Sequence, residues 1–571
     1  MSPCELQVEA GKGNSGNHTL PPPPQPQPPP TLPHGPPPGL SSLTSRMRST
    51  DFAGALGAVA VLATTVASLS IPRGVGGLAC ASGFCPRSDD VAQLGASLSA
   101  GAQIVFPGSA EFTSRTARWS NLSPPKFNAV VVPGSQEDVA ATIKFANERK
   151  LPFLATNTAH GTLTTLGKMD HGIEIDIRSL NSVEIAADGK TARVGGGIRS
   201  KELIDALWAA NKQTVTGTCE CVSIMGPALG GGHGWLQGYY GLVADNIVSL
   251  DVVLADGRAV TASADQNADL FYALKGAGHN FGVVTSAVFK IYDVISRDWA
   301  IETHIFSGDK VEAVYRAANE HLLKNGTQSR DLINWSYWLN DASMDPKNPI
   351  IIFYIIQQGV KAVSPEYTQP FHDIGPLVAI PKTGDYLQVS GWAGVSLSSP
   401  PCQKAGLANP RFPIYLDAYD PATMAEAYAA YAAAVGPADS PFHGSIFMFE
   451  GYPSQGLRAV DASSTAFAHR DRNLLNAPLI QYNPASGADV EVRARELGGR
   501  LRDMLQAGSG RAGKAAVYVN YGYGNEEEGQ FYGDAARVEK LAALKDKYDP
   551  SDRFSFYAPI SHKGGKPCKH K

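Results

Sequence analysis

The chain has 571 residues, with 49 Lys and Arg against 53 Asp and Glu, for a formal net charge of −4. That length exceeds one ordinary domain and predicts two domains with tails. The near-balanced charge without a basic stripe excludes a nucleic-acid partner, and the 58 glycines, many in mid-chain, call for a local reason.

In chain order, residues 1–46 carry "PPPPQPQPPPTLPHGPPPG", a proline-rich stretch that cannot bury a core. Arg46 and Arg48 then precede an apolar run from Phe52 to Ile71 that ends among small residues. This is the order of a secretory signal, so residues 47–71 read as a signal peptide, with translation from Met47 and 1–46 as an extension. A single membrane anchor is the alternative. The sequons Asn121-Leu-Ser, Asn325-Gly-Thr and Asn334-Trp-Ser and the neighbours Cys80 and Cys85 agree with secretion, glycosylation and disulfide pairing. Seven cysteines leave at least one outside any intramolecular pair.

After an N-terminal segment over 72–122, residues 123–293 alternate strands and helices. "NAVVVPGS" predicts a strand, "SQEDVAATIKFANERK" a helix capped by Ser135, and "LPFLAT" a second strand. "TARVGGG" and "SKELIDALWAANK" give a strand and a helix capped by Ser200, and "NIVSLDVVLADGRAVTA" a hairpin. Hairpins among the βα pairs predict an α+β sheet domain. From 294 to 510, alternating runs such as "PIIIFYIIQQG" and "SIFMFEGYP" predict an antiparallel sheet covered by the helices "ATMAEAYAAYAAAVG" and "ADVEVRARELGGRLRDMLQ", a substrate domain. Residues 511–560 read as a separate closing segment, and 561–571 as a basic tail.

The stretch "CECVSIMGPALGGGHGW", 219–235, holds most of the chemistry. Cys-x-Cys with one histidine lacks the spacing and fourth ligand of a zinc site, so no metal is read. The glycine run lacks G-x-G-x-x-G spacing behind a strand, against a dinucleotide fingerprint. Side-chain-free residues instead allow backbone to lie directly against something large and flat.

This stretch resembles the flavin-contacting segment of FAD-linked oxidases of the vanillyl-alcohol oxidase and p-cresol methylhydroxylase type, in the berberine-bridge-enzyme-like branch. "PGSQEDVAATIKFANERKLPFLATNTAHGTLTTLG", "GAGHNFGVVTSAVFKI" and "VYVNYGYG…YDPSDRF" are similar to three further family segments, in the family's order. The resemblance implies FAD in a two-part domain. His160 would be covalently bound to the flavin, and the loop of Thr156, Asn157, Thr158, Ala159, Gly161 and Thr162 would offer backbone N–H groups to the pyrophosphate. Cys219 stands where some relatives add a second tether. Cys221 stays open as an alternative, because extended backbone would turn both cysteines to one side. Gly226, Gly230, Gly231 and Gly232 would give the flavin ring room, Val222 would face the oxygen path as in oxidases, and Gly282, Val283, Val284 and Asn520 complete the implied cofactor set. Thr162 and Ser551-Asp552 depart from the family pattern of Tyr and Asn.

For catalysis, His233 stands where many relatives keep a tyrosine and is a candidate base, with Tyr521 and Gln481 beside it. The implied function is a secreted oxidase acting on an alcohol or sugar hydroxyl or a secondary-metabolite intermediate, with dioxygen as acceptor and hydrogen peroxide as product. A flavin dehydrogenase and a non-catalytic flavoprotein-like binding protein are the alternatives. No nucleic acid and no stable membrane association are expected.

Overall fold

A computed structural model of the chain describes residues 91–564. The signal-like run, the proline-rich stretch and the pair Cys80 and Cys85 lie outside these residues. Among the described residues, no helix is long and apolar enough to cross a membrane.

Three sheets carry the fold. The first comprises β1 (Gln103–Val105), β2 (Phe127–Val132), β3 (Phe153–Thr156) and β4 (Gly172–Asp176) in the order β1-β2-β4-β3. β4 pairs parallel with both β2 and β3. Val130, Val131 and Ala129 are fully buried, as an unbroken apolar run in a covered parallel sheet requires. The helix Gln136–Glu148 connects β2 to β3. Its start is fixed by a capping box in which the Ser135 hydroxyl accepts from the Asp138 N–H and the Asp138 carboxylate accepts from that of Ser135. The helix predicted from Ser200 spans Ser200–Ala209. Its cap is Arg199, one residue earlier, whose N–H donates to the Glu202 carboxylate.

The second sheet is antiparallel throughout. It comprises β5 (Val183–Ile185), β6 (Thr191–Gly195), β8 (Ile247–Val253), β9 (Ala259–Ser263) and β10 (Val283–Lys290), ordered β5-β6-β10-β8-β9. A two-strand ribbon, β7 (Lys212–Gln213) with β11 (Tyr292–Asp293), lies beside it in sequence.

The third sheet uses β12 (Trp299–Phe306), β13 (Leu332–Leu339), β14 (Ile350–Gln358), β15 (Val378–Gly384), β16 (Ile414–Leu416), β17 (Ile446–Gly451) and β18 (Leu474–Leu479). The order is β15-β12-β14-β13-β17-β18-β16, all antiparallel. Its register places Phe353, Ser336 and Phe449 in one cross-strand row, and Phe353 stacks on Phe371 of the helix Pro365–Ile374. Alternation therefore turns Trp335 and Glu450, a facing pair on β13 and β17, to the opposite face.

The chain then returns to the first two sheets. Tyr523 O accepts from Thr164 N, Phe556 O accepts from the Thr165 hydroxyl, and the buried Lys545 ammonium donates to Asn280 O, Phe554 O and Asp549. Mixed parallel and antiparallel sheets with packed helices make the fold α+β, as expected. One sequon is displaced from its expected role: Asn334 sits mid-strand in β13 at 1% exposure, out of reach of a glycosyltransferase in the folded chain, whereas Asn325 is exposed in a left-handed turn.

Candidate active site

A cavity is lined by the end of β3 and its loop, by residues from 217–233, by the start of β10, by Glu450, and by the returning C-terminal segment. From the loop come Thr156, Asn157, Thr158, Ala159, His160 and Gly161; Ala159 takes a left-handed conformation at φ 57°. Gly161 has no room for a side chain, because a Cβ there would lie 2.6 Å from the Tyr557 ring. Thr162 lies behind the loop, buried, and does not line the cavity.

His160 faces the cavity and stacks on Trp119, centroids 5.7 Å apart at 15°. Burial, together with the cations of Arg411, Lys404 and Arg118, holds its imidazole down to about 3, so the ring is neutral, with Nε2 3.5 Å from Cys221 Sγ. Arg118 is buried beside it and donates to Gly161 O.

The cysteines are arranged differently from the extended-chain expectation. Residues 219–222 form a turn closed by Val222 N donating to Cys219 O, not a strand. Cys221 is disulfide-bonded to Cys402, 181 residues away, which removes its thiolate and with it the alternative tether. Cys219 remains a free thiol on the cavity wall, 3.7 Å from Cys221 Sγ and 3.6 Å from Cys402 Sγ. Burial pushes it up to about 12. Val222 and Gly226 line the cavity, as do Gly282, Val283, Val284 and Asn520.

Gly230, Gly231 and Gly232 do not line it, contrary to the expectation that they make room for a ring. Protein atoms fill the space of their missing side chains. A Cβ on Gly230 would lie 2.2 Å from Asn520 Oδ1, one on Gly231 2.5 Å from Phe467, and one on Gly232 2.8 Å from Val243. Gly231 and Gly232 also have φ of 106° and 87°, which side chains rarely adopt. The run seats Asn520 against the cavity wall, where the Asn520 amide donates to Pro227 O and the Tyr518 hydroxyl.

His233 is not free to act as a base. Gln237 donates through Nε2 to Pro453 O, which turns its Oε1 toward His233 Nδ1 at 2.7 Å, so Nδ1 carries the proton. Nε2 then accepts from the Tyr415 hydroxyl, also at 2.7 Å. With both nitrogens engaged and burial holding it down to about 4, His233 is a neutral spacer. Its ring stacks on Tyr452 and meets Tyr518 edge-on. Gln481 lies outside the cavity and donates to Asn409 Oδ1, while Asn409 donates to Trp119 O, so it braces the ring under His160.

Tyr521 lines the cavity as expected, and beside it stands a residue the sequence did not single out. Glu450, 1% exposed, accepts from the Tyr452 hydroxyl at 2.7 Å and the Tyr521 hydroxyl at 3.0 Å. Burial raises its carboxyl to about 7 against the pull of both tyrosines and Arg411. The Arg411 guanidinium lies 4.4 Å from the centre of Trp119 and 4.3 Å from that of Tyr521. A carboxyl poised near neutrality in a cleft is suited to take a proton. The available signal was a lone acid inside the apolar run "SIFMFEG".

Five buried polar atoms of cavity-lining residues, Asn157 Oδ1, His279 Nδ1, Asn520 Oδ1 and the Nε atoms of Arg411 and Arg553, have no partner in the protein. Buried polar groups are normally paired, so these fit a polar ligand such as FAD.

The FAD binding domain family matches residues 127–263. The FAD-linked oxidoreductase chyH of Penicillium rubens is 51% identical over 476 residues, covering 83% of this chain and 94% of its own. Among solved structures, Physcomitrella patens BBE-like 1 superposes with a TM-score of 0.69 at 23% identity, over 83% of this chain and 99% of that one. The glucooligosaccharide oxidase of Acremonium strictum, described with a 6-S-cysteinyl, 8α-N1-histidyl FAD, gives 0.69 at 20% identity over 82% and 98%. These two likenesses are of fold.

Proposed function

The chain belongs to the FAD-linked oxidoreductases of the vanillyl-alcohol oxidase and p-cresol methylhydroxylase superfamily, and on that premise we propose that it is a secreted oxidase using dioxygen. When bound in the cavity, FAD would supply a two-electron acceptor for a substrate hydride, with dioxygen as the final acceptor and hydrogen peroxide as the product. The rest is done by side chains. Glu450 takes the substrate hydroxyl proton, directly or through the Tyr521 hydroxyl that already donates to it. Arg411, held between Trp119 and Tyr521, stabilises the negative charge that develops on that oxygen. The observation that carries the reading is this Glu450–Tyr521–Tyr452 cluster in the same cavity as His160 and Val222.

His160 is proposed as the covalent tether, since its neutral imidazole offers the required lone pair. A second tether from Cys219 needs its proton removed first, because only the thiolate attacks. The lining rings of Tyr452, Tyr518, Tyr521 and Tyr557 support a flat or ring-shaped substrate, an alcohol or sugar hydroxyl or a secondary-metabolite intermediate.

The test is acid precipitation of the purified yellow protein. Flavin retained in the pellet of the wild type and of each single variant, His160→Ala and Cys219→Ala, but released from the double variant, supports both tethers. Flavin released from the wild type removes the covalent claim, and a colourless protein removes the whole reading.

A further inference from the structure

On the helix-covered face of the third sheet, opposite Glu450, three potential ligands converge that the redox chemistry does not use. Glu302 and His304 are two apart on β12 and so project from the same face. His372 comes from the last turn of the helix Pro365–Ile374. One ligand atom from each lies within 4.8 Å of the others. Glu302 Oε1 is 2.5 Å from His372 Nε2 and 3.2 Å from His304 Nε2.

His304 is the residue that needs explaining. It is completely buried, against Phe306 and Phe371, yet neither ring nitrogen makes a hydrogen bond. Its 3.2 Å approach to Glu302 has the proximity of an ion pair without hydrogen-bond geometry. A buried imidazole left unpaired is destabilising in ordinary packing, and a cation between these three groups would satisfy it. We propose that Glu302, His304 and His372 are the protein ligands of a divalent transition ion, Zn2+ by donor type, with a fourth position open to water. Two imidazoles and one carboxylate suit Zn2+, which takes nitrogen and oxygen ligands at about 2.0–2.2 Å in tetrahedral array. Tetrahedral edges are then roughly 3.3 Å. The Glu302–His304 separation already matches. The Glu302–His372 contact must open by less than about 1 Å, which the 40% exposed His372 side chain permits. The ion would join the helix to β12, and none of its three ligands lines the flavin cavity.

The experiment uses flavin-loaded protein freed of metal with chelator, then dialysed against Zn2+ with metal analysis and amide exchange. The expected result is saturable binding of one Zn2+ per chain and slower exchange within 365–374. Affinity should fall at least about tenfold in both His372→Ala and Glu302→Gln, with the flavin band intact as evidence of folding. His171→Ala, at an exposed histidine beside Asp170, should change nothing. Failure of the wild type to bind, or binding that survives in His372→Ala and Glu302→Gln, overturns the assignment.

Discussion

Glu450→Gln is the sharpest perturbation of the proton-transfer account. The substitution keeps shape and one acceptor for the Tyr452 and Tyr521 hydroxyls but removes the base. Side-chain bases contribute typically 10²–10⁴-fold, so substrate-driven bleaching of the flavin in anaerobic stopped flow should slow by about 10²-fold or more. The wild-type rate should rise with pH through an inflection near 7, where Glu450 ionises, and the variant should lose that inflection. Stability must move the other way. Because the folded-state carboxyl is raised from 4.5 to about 7, the native state binds the proton more tightly than the unfolded state does. That contribution is complete below about 4.5 and is lost as pH rises through 7, amounting to about 3 kcal/mol. At pH 8 the variant should therefore unfold later in denaturant than the wild type. A variant that reduces its flavin at the wild-type rate, or keeps the inflection near 7, would refute the assignment of Glu450 as the proton acceptor.

Three further outcomes are expected. Gly230→Ala should push Asn520 off the cavity wall, costing about 1–3 kcal/mol as overpacking does, and should lower flavin content in the absorption spectrum. His233→Phe should orphan the Tyr415 hydroxyl and Gln237 Oε1, at roughly 1–3 kcal/mol each, while the inflection near 7 stays; its disappearance would restore His233 as the base. In the Glu450→Gln background, free of that carboxyl's opposing contribution, denaturant titrations across pH should show stability lost as pH falls from 6.5 through about 4. His233 and His469 are buried and held down to about 4, so the unfolded chain takes up protons first. A flat profile over that window would contradict their burial as neutral rings.

Local features were legible where a residue acts on its chain neighbours. Ser135 announced its capping box, and the apolar runs announced β2, β14 and β17. The loop at His160 was legible as a site because its family pattern is contiguous. Four features were not legible, because their partners meet only in the folded chain. Cys402 gave no sign of pairing with Cys221. The glycine run correctly signalled close approach, but what approaches is Asn520, Phe467 and Val243. His233 looked like a base because the sequence names a residue but not the Gln237 and Tyr415 groups that occupy both its nitrogens. Glu450 was hidden in a strand whose neighbours are all apolar, where a lone acid is itself the clue.

The most direct test of the oxidase reading is reoxidation. Protein reduced by substrate under anaerobic conditions is mixed with air-saturated buffer, and flavin colour and peroxide are followed together. Rapid return of the oxidised spectrum with one hydrogen peroxide per flavin is the predicted result. Slow return without peroxide would contradict it and make the protein a dehydrogenase that needs another acceptor.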